Sequence, residues 1–446
     1  MTILTRDTVL SVKTGMKRRV EEALSAAGVG APLSWWWVPG RVEVFGKHTD
    51  YGGGPSLMGA LPRGFLLAGA RRTDQTIRVL DAGDGSQFEL DLTTGATNPG
   101  DVKGWRRYAN ILARRLARDF PGASLGADIA LASDLPRASG MSSSSALVVG
   151  LAHVLVRLGR LDERDDWRAV FSSPLDVAGY FACLENGLPC GPFAGDGGLG
   201  TFGGSEDQTA IVCCRPGQLS QFSYMPVRHV RDVPLPDAWT FVLASSGIAA
   251  EKAGRAQGLY NRASLGVRAL GALWRMHIGP IESLTSALSP DPDAEAQLRS
   301  VIDRHPLADW PREQLHVRLS HFAREYRRVP AAAAAIAAAD AQRLGALAAA
   351  SHADADNLLG NQLPETNALV SLALARGAIG ASAFGAGFGG SVWALVNSSD
   401  AQAINQFGEE WLAAYRAAFP DRAALSTWFA ARPGAPLTDV VVADGL

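Results

Sequence analysis

At 446 residues, 47% of them apolar and 19% charged, the chain is long enough for two domains or for one large enzyme domain with insertions. Its formal charge of −2 excludes the excess of Lys and Arg by which a nucleic-acid binder neutralises phosphates. Glycine is abundant, at 48 residues, which predicts tight loops and close backbone approaches. In chain order, "MTILTRDTVLSVKTGMKRRV" carries Arg6, Asp7 and Lys13 where a secretory leader needs an unbroken apolar run, and no later segment is long and apolar enough to span a bilayer. A cytoplasmic location without a membrane partner is the expectation. Residues 15–28 have the spacing of an amphipathic helix, and "SWWWVPGRVEVFG" is a strand-like run broken at Pro39-Gly40. Trp35, Trp36 and Trp37 within it read as core strand and edge packing, not as a platform for stacking a base.

That run opens a stretch from Arg41 to Leu57, "RVEVFGKHTDYGGGPSL", which reads as a strand–turn–strand edge dense in charge and glycine. It is not a P-loop: Gly40 lies one residue too far from Gly46, and His48 stands where a magnesium-binding serine or threonine is needed. Next, "FLLAGARRTDQTIRVLDAGDGSQFELDL" alternates like hairpin strands with Asp-Gly turns, and "GWRRYANILARRLARDF" has helical spacing. The first half is therefore mixed α and β. "GADIALASDLP" is strand-like and runs into a loop, "RASGMSSSS", that feeds an apolar helix starting near Ala146. Small residues at a helix N-terminus let backbone N–H groups converge on an anion, with the helix dipole adding positive charge, so phosphate is the natural guest.

Further on, the Gly-rich "GLPCGPFAGDGGLGTFGGSEDQ" separates a helix ending near Glu185 from "TAIVCC", read as a strand. The cysteines, Cys183, Cys190, Cys213 and Cys214, form no Cys-x-x-Cys pair and read as free thiols. The Pro- and charge-rich "MPVRHVRDVPLPDA" predicts a boundary, dividing the chain into 1–228 and 229–446. Beyond it "WTFVLASSG" is strand-like, and the alanine-rich "PAAAAAIAAADAQRLGALAAASH" is a helix former. A last glycine cluster, "ASAFGAGFGGSVWALV", is expected between a helix and an apolar strand.

Taken together, Arg41 to Leu57, the serine loop and this third cluster, in this order and separation, resemble the three motifs of the GHMP kinase superfamily, closest to the galactokinase family. "GGSEDQTAIV", "GLYNRAS" and "SHADADNLLGNQLPETNALVSLA" extend the resemblance over most of the chain from about residue 34 onward. It implies an α+β fold of two domains with the active site in the cleft between them, and transfer of phosphate from ATP, with Mg²⁺, to the C1 hydroxyl of a sugar such as galactose.

The resemblance also assigns residues. Asp207 would accept the proton of the sugar hydroxyl, with Arg41 steadying the developing charge; the bland alternative is a structural ion pair. His48, Asp50, Tyr260 and Gly204 would meet the sugar. Gly140, Met141, Ser142, Ser143, Ser144 and Ser145, with Gly385 and Gly387, would hold the nucleotide. Ser144 and Glu185 would ligate the metal, although the stretch from Gly187 to Gly204 is longer than in the family and leaves Glu185 equally readable as a solvated helix residue.

Three positions depart from the family pattern. Lys47 replaces a glutamate that contacts the sugar near C6, Glu43 replaces an asparagine, and Glu206 replaces an apolar residue. Lys47 is therefore expected either to pair with Glu43 or Glu206, or to meet an anionic sugar such as a uronate. A catalytically silent sugar and ATP sensor is a further alternative, against which the retention of Arg41 and Asp207 argues.

Overall fold

The structure, a computed structural model, describes residues 13–30, 32–94, 102–136, 139–249, 254–289 and 291–440. Arg6 and Asp7, on which the reading of the N-terminus rested, lie outside them. Helix α1 (Thr14–Ala26) buries Met16, Val20 and Leu24 on one stripe and packs beside Trp35 and Trp37. Strand β1 (Ser34–Phe45) runs through Pro39-Gly40 without breaking, because a register shift between Pro39 and Arg41 absorbs the irregularity. The three tryptophans are buried in this strand. A short turn at Asp50–Gly52 leads to β2 (Ser56–Arg71), antiparallel to β1.

The next two strands, β3 (Thr76–Asp81) and β4 (Gln87–Asp91), form the expected hairpin. Helix α2 (Arg106–Asp119) follows, and β5 (Ala127–Ser133) inserts between β2 and β3, parallel to β3. Helix α3 (Ser143–Leu158) then lies across the sheet, its Val149, Ala152 and Val156 in the main core. It begins at Ser143, earlier than the sequence suggested.

Helix α4 (Pro174–Asn186) is capped by Ser173, and α5 (Glu206–Cys213) occupies the place read as the strand "TAIVCC". Here the β-branched Thr209, Ile211 and Val212 suggested a strand, but tertiary packing of Ala210 and Ile211 decided the conformation. Strands β6 (Gln218–Ser223) and β7 (Arg228–Pro234) form a hairpin that joins β2.

Beyond it, β8 (Trp239–Ser245) starts a second sheet. Helices α6 (Gly254–His277), α7 (Leu284–Leu288), α8 (Ala294–Arg304) and α9 (Arg312–Ala337) build a helical layer whose own core takes in Tyr51 of motif one. The alanine-rich tract is helical as expected, ending α9 and continuing as α10 (Ala341–Asp354), where the Asp340 side chain accepts from Arg343 N at 2.9 Å.

Helix α11 (Pro364–Leu374), β9 (Gly380–Phe384), β10 (Ser391–Asn397), α12 (Ala401–Ala418), β11 (Thr427–Ala431) and β12 (Thr438–Val440) follow within the described residues. The third glycine cluster thus lies between two strands, not between a helix and a strand. The preceding "GASAF" is too rich in small residues to announce a strand.

Among the described residues the strands form an eight-stranded sheet, with β12-β1-β2-β5-β3-β4 and the β6-β7 hairpin on β2, and a four-stranded sheet ordered β11-β8-β10-β9. Both β7 and β12 return residues beyond 228 to the first sheet. Within the described residues, no helix is long and apolar enough to cross a membrane.

Candidate active site

Strand β1 carries Arg41 into the interior, where Nε donates to Asp207 Oδ1 at 2.8 Å and Nη1 to the Gly140 carbonyl at 2.7 Å. Asp207, on the first turn of α5, accepts a second hydrogen bond, from Ser145 Oγ to Oδ2 at 3.2 Å. One ion pair therefore ties motif one, the serine loop and the "GGSEDQ" segment together. Burial works hardest against the charge on Arg41, but Asp207, Glu43 and Glu206 outweigh it and raise its pKa.

This pair stands in the wall of an open cleft that also takes in His48, Asp50, Tyr260 and Gly204. The His48 and Tyr260 rings are 5.5 Å apart, and His48 Nδ1 is 3.0 Å from the Tyr51 hydroxyl. Asp50 Oδ2 accepts from Glu206 N at 3.3 Å. A Cβ on Gly204 would stand 2.0 Å from that same Asp50 oxygen, so only glycine fits there.

The long Gly-rich stretch is held to the cleft by Asn186, a residue the sequence reading passed over. Its Oδ1 accepts from Thr201 Oγ1 at 3.1 Å and Gly203 N at 3.2 Å, and its Nδ2 donates to the Gly204 carbonyl at 3.1 Å. Adjacency to Glu185 was its one sequence signal. Glu185 also lines the cleft, where its Oε2 accepts from Gln208 Nε2 at 2.5 Å.

The serine loop ends with Ser142 in the left-handed region, φ 57°, and Ala146 N bonds back to Ser142 O at 2.8 Å. The N–H groups of a helix's first turn have no intrahelical acceptor, and here the buried Ser142 hydroxyl also lacks a hydrogen-bond partner. Donors without acceptors at a helix N-terminus are what a phosphate requires. Met141 is buried, with its carbonyl accepting from Arg41 N at 3.3 Å, while Ser143 and Ser144 are half-buried on the first turn.

Motif three closes over this loop. Gly385 has φ 80°, and a Cβ there would stand 2.6 Å from the Gly140 carbonyl, so glycine is what lets the two loops touch. Its N–H donates to Glu43 Oε2 at 3.2 Å. Gly387 packs on Asn361 and is not brought into the cleft wall; Gly385 and Ala386 are.

Lys47 does not line the cleft. Its side chain is 1% exposed and turns away, Nζ donating to Ser351 Oγ of α10 at 2.9 Å. Ser351 Oγ donates in turn to Glu325 Oε1 of α9 at 2.9 Å, and the same carboxylate accepts from Gly46 N at 3.0 Å and, through Oε2, from Arg328 Nη1 at 3.0 Å. Neither Glu43 nor Glu206 forms a direct salt bridge with Lys47. The lysine acts on Glu43 at longer range, opposing the burial that pushes the Glu43 carboxyl up to about 7. Glu325 and Ser351, its actual surroundings, come from a remote part of the chain and gave no local signal.

A galactokinase galactose-binding signature matches residues 27–71, the GHMP kinase N-terminal domain matches 107–192, and the GHMP kinase C-terminal family matches 332–414. The galactokinase of Chloroflexus aggregans is 30% identical over 84% of this chain and 86% of its own. That of Roseiflexus sp. (strain RS-1) is 31% identical over 82% and 83%. Among solved structures, Lactococcus lactis galactokinase complexed with galactose superposes with a TM-score of 0.74 at 21% identity, covering 95% of this chain and 99% of that one. L. major mevalonate kinase, at 16% identity and a TM-score of 0.54 over 90% and 96%, shares the fold more distantly. With motifs, fold and cleft in agreement, the chain belongs to the galactokinase family of the GHMP kinases and is an ATP-dependent sugar kinase.

Proposed function

We propose that the protein transfers the γ-phosphoryl group of ATP to the anomeric C1 hydroxyl of galactose or a closely related monosaccharide. The observation that carries this reading is the Arg41–Asp207 pair at 2.8 Å, in the cleft wall and bonded to the start of α3 through Ser145. Phosphoryl transfer requires little covalent chemistry from the protein and much positioning and charge neutralisation. In this arrangement Asp207 takes the proton from the C1 oxygen, and Arg41 offsets negative charge on Asp207 and on the group in transit.

The N-terminus of α3, with Gly140, Ser142 and the first-turn N–H groups, cradles the nucleotide phosphates. Magnesium prefers few protein oxygens alongside phosphate and water; the Ser144 hydroxyl and the Glu185 carboxylate would hold it, where it would neutralise phosphate charge. His48, Asp50 and Tyr260 orient the sugar hydroxyls, and a buried polar group left unmatched by the wrong sugar sets specificity. The halves 1–228 and 229–446 are read as two lobes, the first supplying the catalytic pair and serine loop, the second Tyr260 and the Gly385 turn.

The uronate alternative required Lys47 as counter-charge. With Nζ on Ser351 and Lys47 absent from the cleft wall, a sugar carboxylate loses the counter-charge this alternative needs. The silent-sensor alternative has no observation in its favour. A coupled ATPase assay across a sugar panel, with phosphorus NMR of the products, tests the reading: galactose should yield a C1 phosphate. Phosphate on another carbon, or galactose left unreacted while another class of sugar turns over, would overturn it.

A further inference from the structure

Glu43 and Glu206 line the cleft beside Arg41 and Asp207, yet they are 3% and 6% exposed, and the Oε1 atom of each lacks any hydrogen-bond partner. Such oxygens are costly to bury and are normally satisfied. Asp50, whose Oδ2 already accepts from Glu206 N, stands in the same wall.

What occupant would satisfy them? A sugar carboxylate brings more acceptors and more negative charge. A neutral hydroxyl brings one donor. An ammonium group brings several donors, no acceptor and a positive charge, which suits two buried carboxyls that each keep an oxygen without a donor. A metal is the other cation, but among the described residues no three His, Cys, Asp or Glu side chains are grouped so as to hold one. Lys47, whose ammonium acts on Glu43 only at longer range, is committed to Ser351.

We propose that Glu43 and Glu206 form a cation subsite and that the preferred acceptor is a hexose bearing a free amino group. The proposal rests on the reading of the protein as a sugar 1-kinase and names the substrate class for it.

The surroundings of the two carboxyls predict a proton signature. Glu43 is buried, bonded to the Gly385 amide and within the electrostatic reach of Lys47, Arg41 and Glu325; Glu206 is buried within reach of Glu43, Asp50, Arg41 and Asp207, and influences Tyr224 and Tyr51. Burial, the largest influence on each, raises both pKa values. Glu43, its carboxyl raised to about 7, is therefore partly protonated near neutral pH in the free protein, and an arriving ammonium displaces that proton.

The test compares galactose with its 2-amino-2-deoxy and 6-amino-6-deoxy counterparts on the wild-type protein and on Glu43→Gln and Glu206→Gln. At least one amino sugar should have kcat/KM tenfold or more above galactose, and each substitution should lower that ratio tenfold or more. Titration calorimetry of the wild-type protein at pH 7, in two buffers of different ionisation enthalpy, should show proton release with the preferred amino sugar and none with galactose. This second measurement decides the matter if the variants do not fold. Galactose preferred over both amino sugars, a preference unchanged in both variants, or binding without proton release would each overturn the proposal. Formation of galactose C1-phosphate without any amino-sugar preference would sink the cation subsite alone, whereas products phosphorylated away from C1 would sink the underlying reading.

Discussion

Two buried charged clusters flank motif one, and they differ in how completely they are satisfied. Behind the strand, Lys47, Ser351, Glu325, Arg328 and Asp354 form a chain in which Glu325 accepts through both oxygens and Arg328 reaches both Glu325 and Asp354. On the cleft side, Arg41 and Asp207 are bonded to each other, but Glu43 and Glu206 each keep an oxygen without a partner. A closed polar network rigidifies a fold, while an incomplete one is costly unless a ligand completes it. Burial does not distinguish the two clusters; the unpartnered oxygens of Glu43 and Glu206 do.

The largest expected effect breaks the functional cluster at its centre. Asp207→Asn removes the proton acceptor while keeping shape, and loss of a general base costs about 10²–10⁴-fold in kcat. ATP binding should persist, because the proposed phosphate cradle belongs to α3. A variant turning over within about tenfold of wild type, measured in steady state alongside nucleotide affinity, would place Asp207 with the structural charges and erase the contrast.

Lys47→Glu attacks the other cluster. It would set a second carboxylate beside Ser351 and Glu325 with only Arg328, already shared between Glu325 and Asp354, to offset it, and an uncompensated buried charge costs about 3–5 kcal/mol. Urea unfolding should register that loss. Lys47→Met, which keeps the aliphatic stem, should lose less stability and leave the KM for sugar within about twofold. A tenfold change in sugar KM in the well-folded Met variant would mean that Lys47 reaches the substrate after all.

How much of this was legible in the sequence follows from the range of the signals. The first helix, the alanine-rich helices and the loop of small residues that feeds α3 are local patterns, and the sequence displays them directly. The substitutions at residues 43, 47 and 206 were equally visible as departures from a family pattern. Their meaning was not, because the direction in which Lys47 points depends on Ser351 and Glu325, some 300 residues along the chain. The α5 segment failed for a related reason: eight residues rich in Thr, Ile, Val and Cys carry strand propensity, and only packing against the rest of the molecule makes them helical. Asn186 was invisible because a single polar residue at a helix end resembles any other.

The smallest expected effect sharpens the comparison through pH. Glu43 has its carboxyl raised from 4.5 to about 7, first by burial, with Lys47 and Arg41 opposing and Glu325 adding to the rise. A carboxyl whose pKa is higher folded than unfolded binds more protons in the native state between those values, so the slope of unfolding free energy with pH is negative there. Its stabilising contribution is present below about pH 4.5 and is lost as pH rises through 7. For one such group the change is on the order of 3 kcal/mol across the interval. Glu206, raised in the same direction by burial and by Glu43, adds to it. Glu43→Gln removes the titration while keeping a buried polar side chain, so its denaturation midpoint should fall less between pH 5 and pH 8 than that of the wild-type protein. Two parallel profiles would mean that Glu43 is already ionised in the folded protein and that its wall of the cleft is as well compensated as the Lys47 cluster behind it.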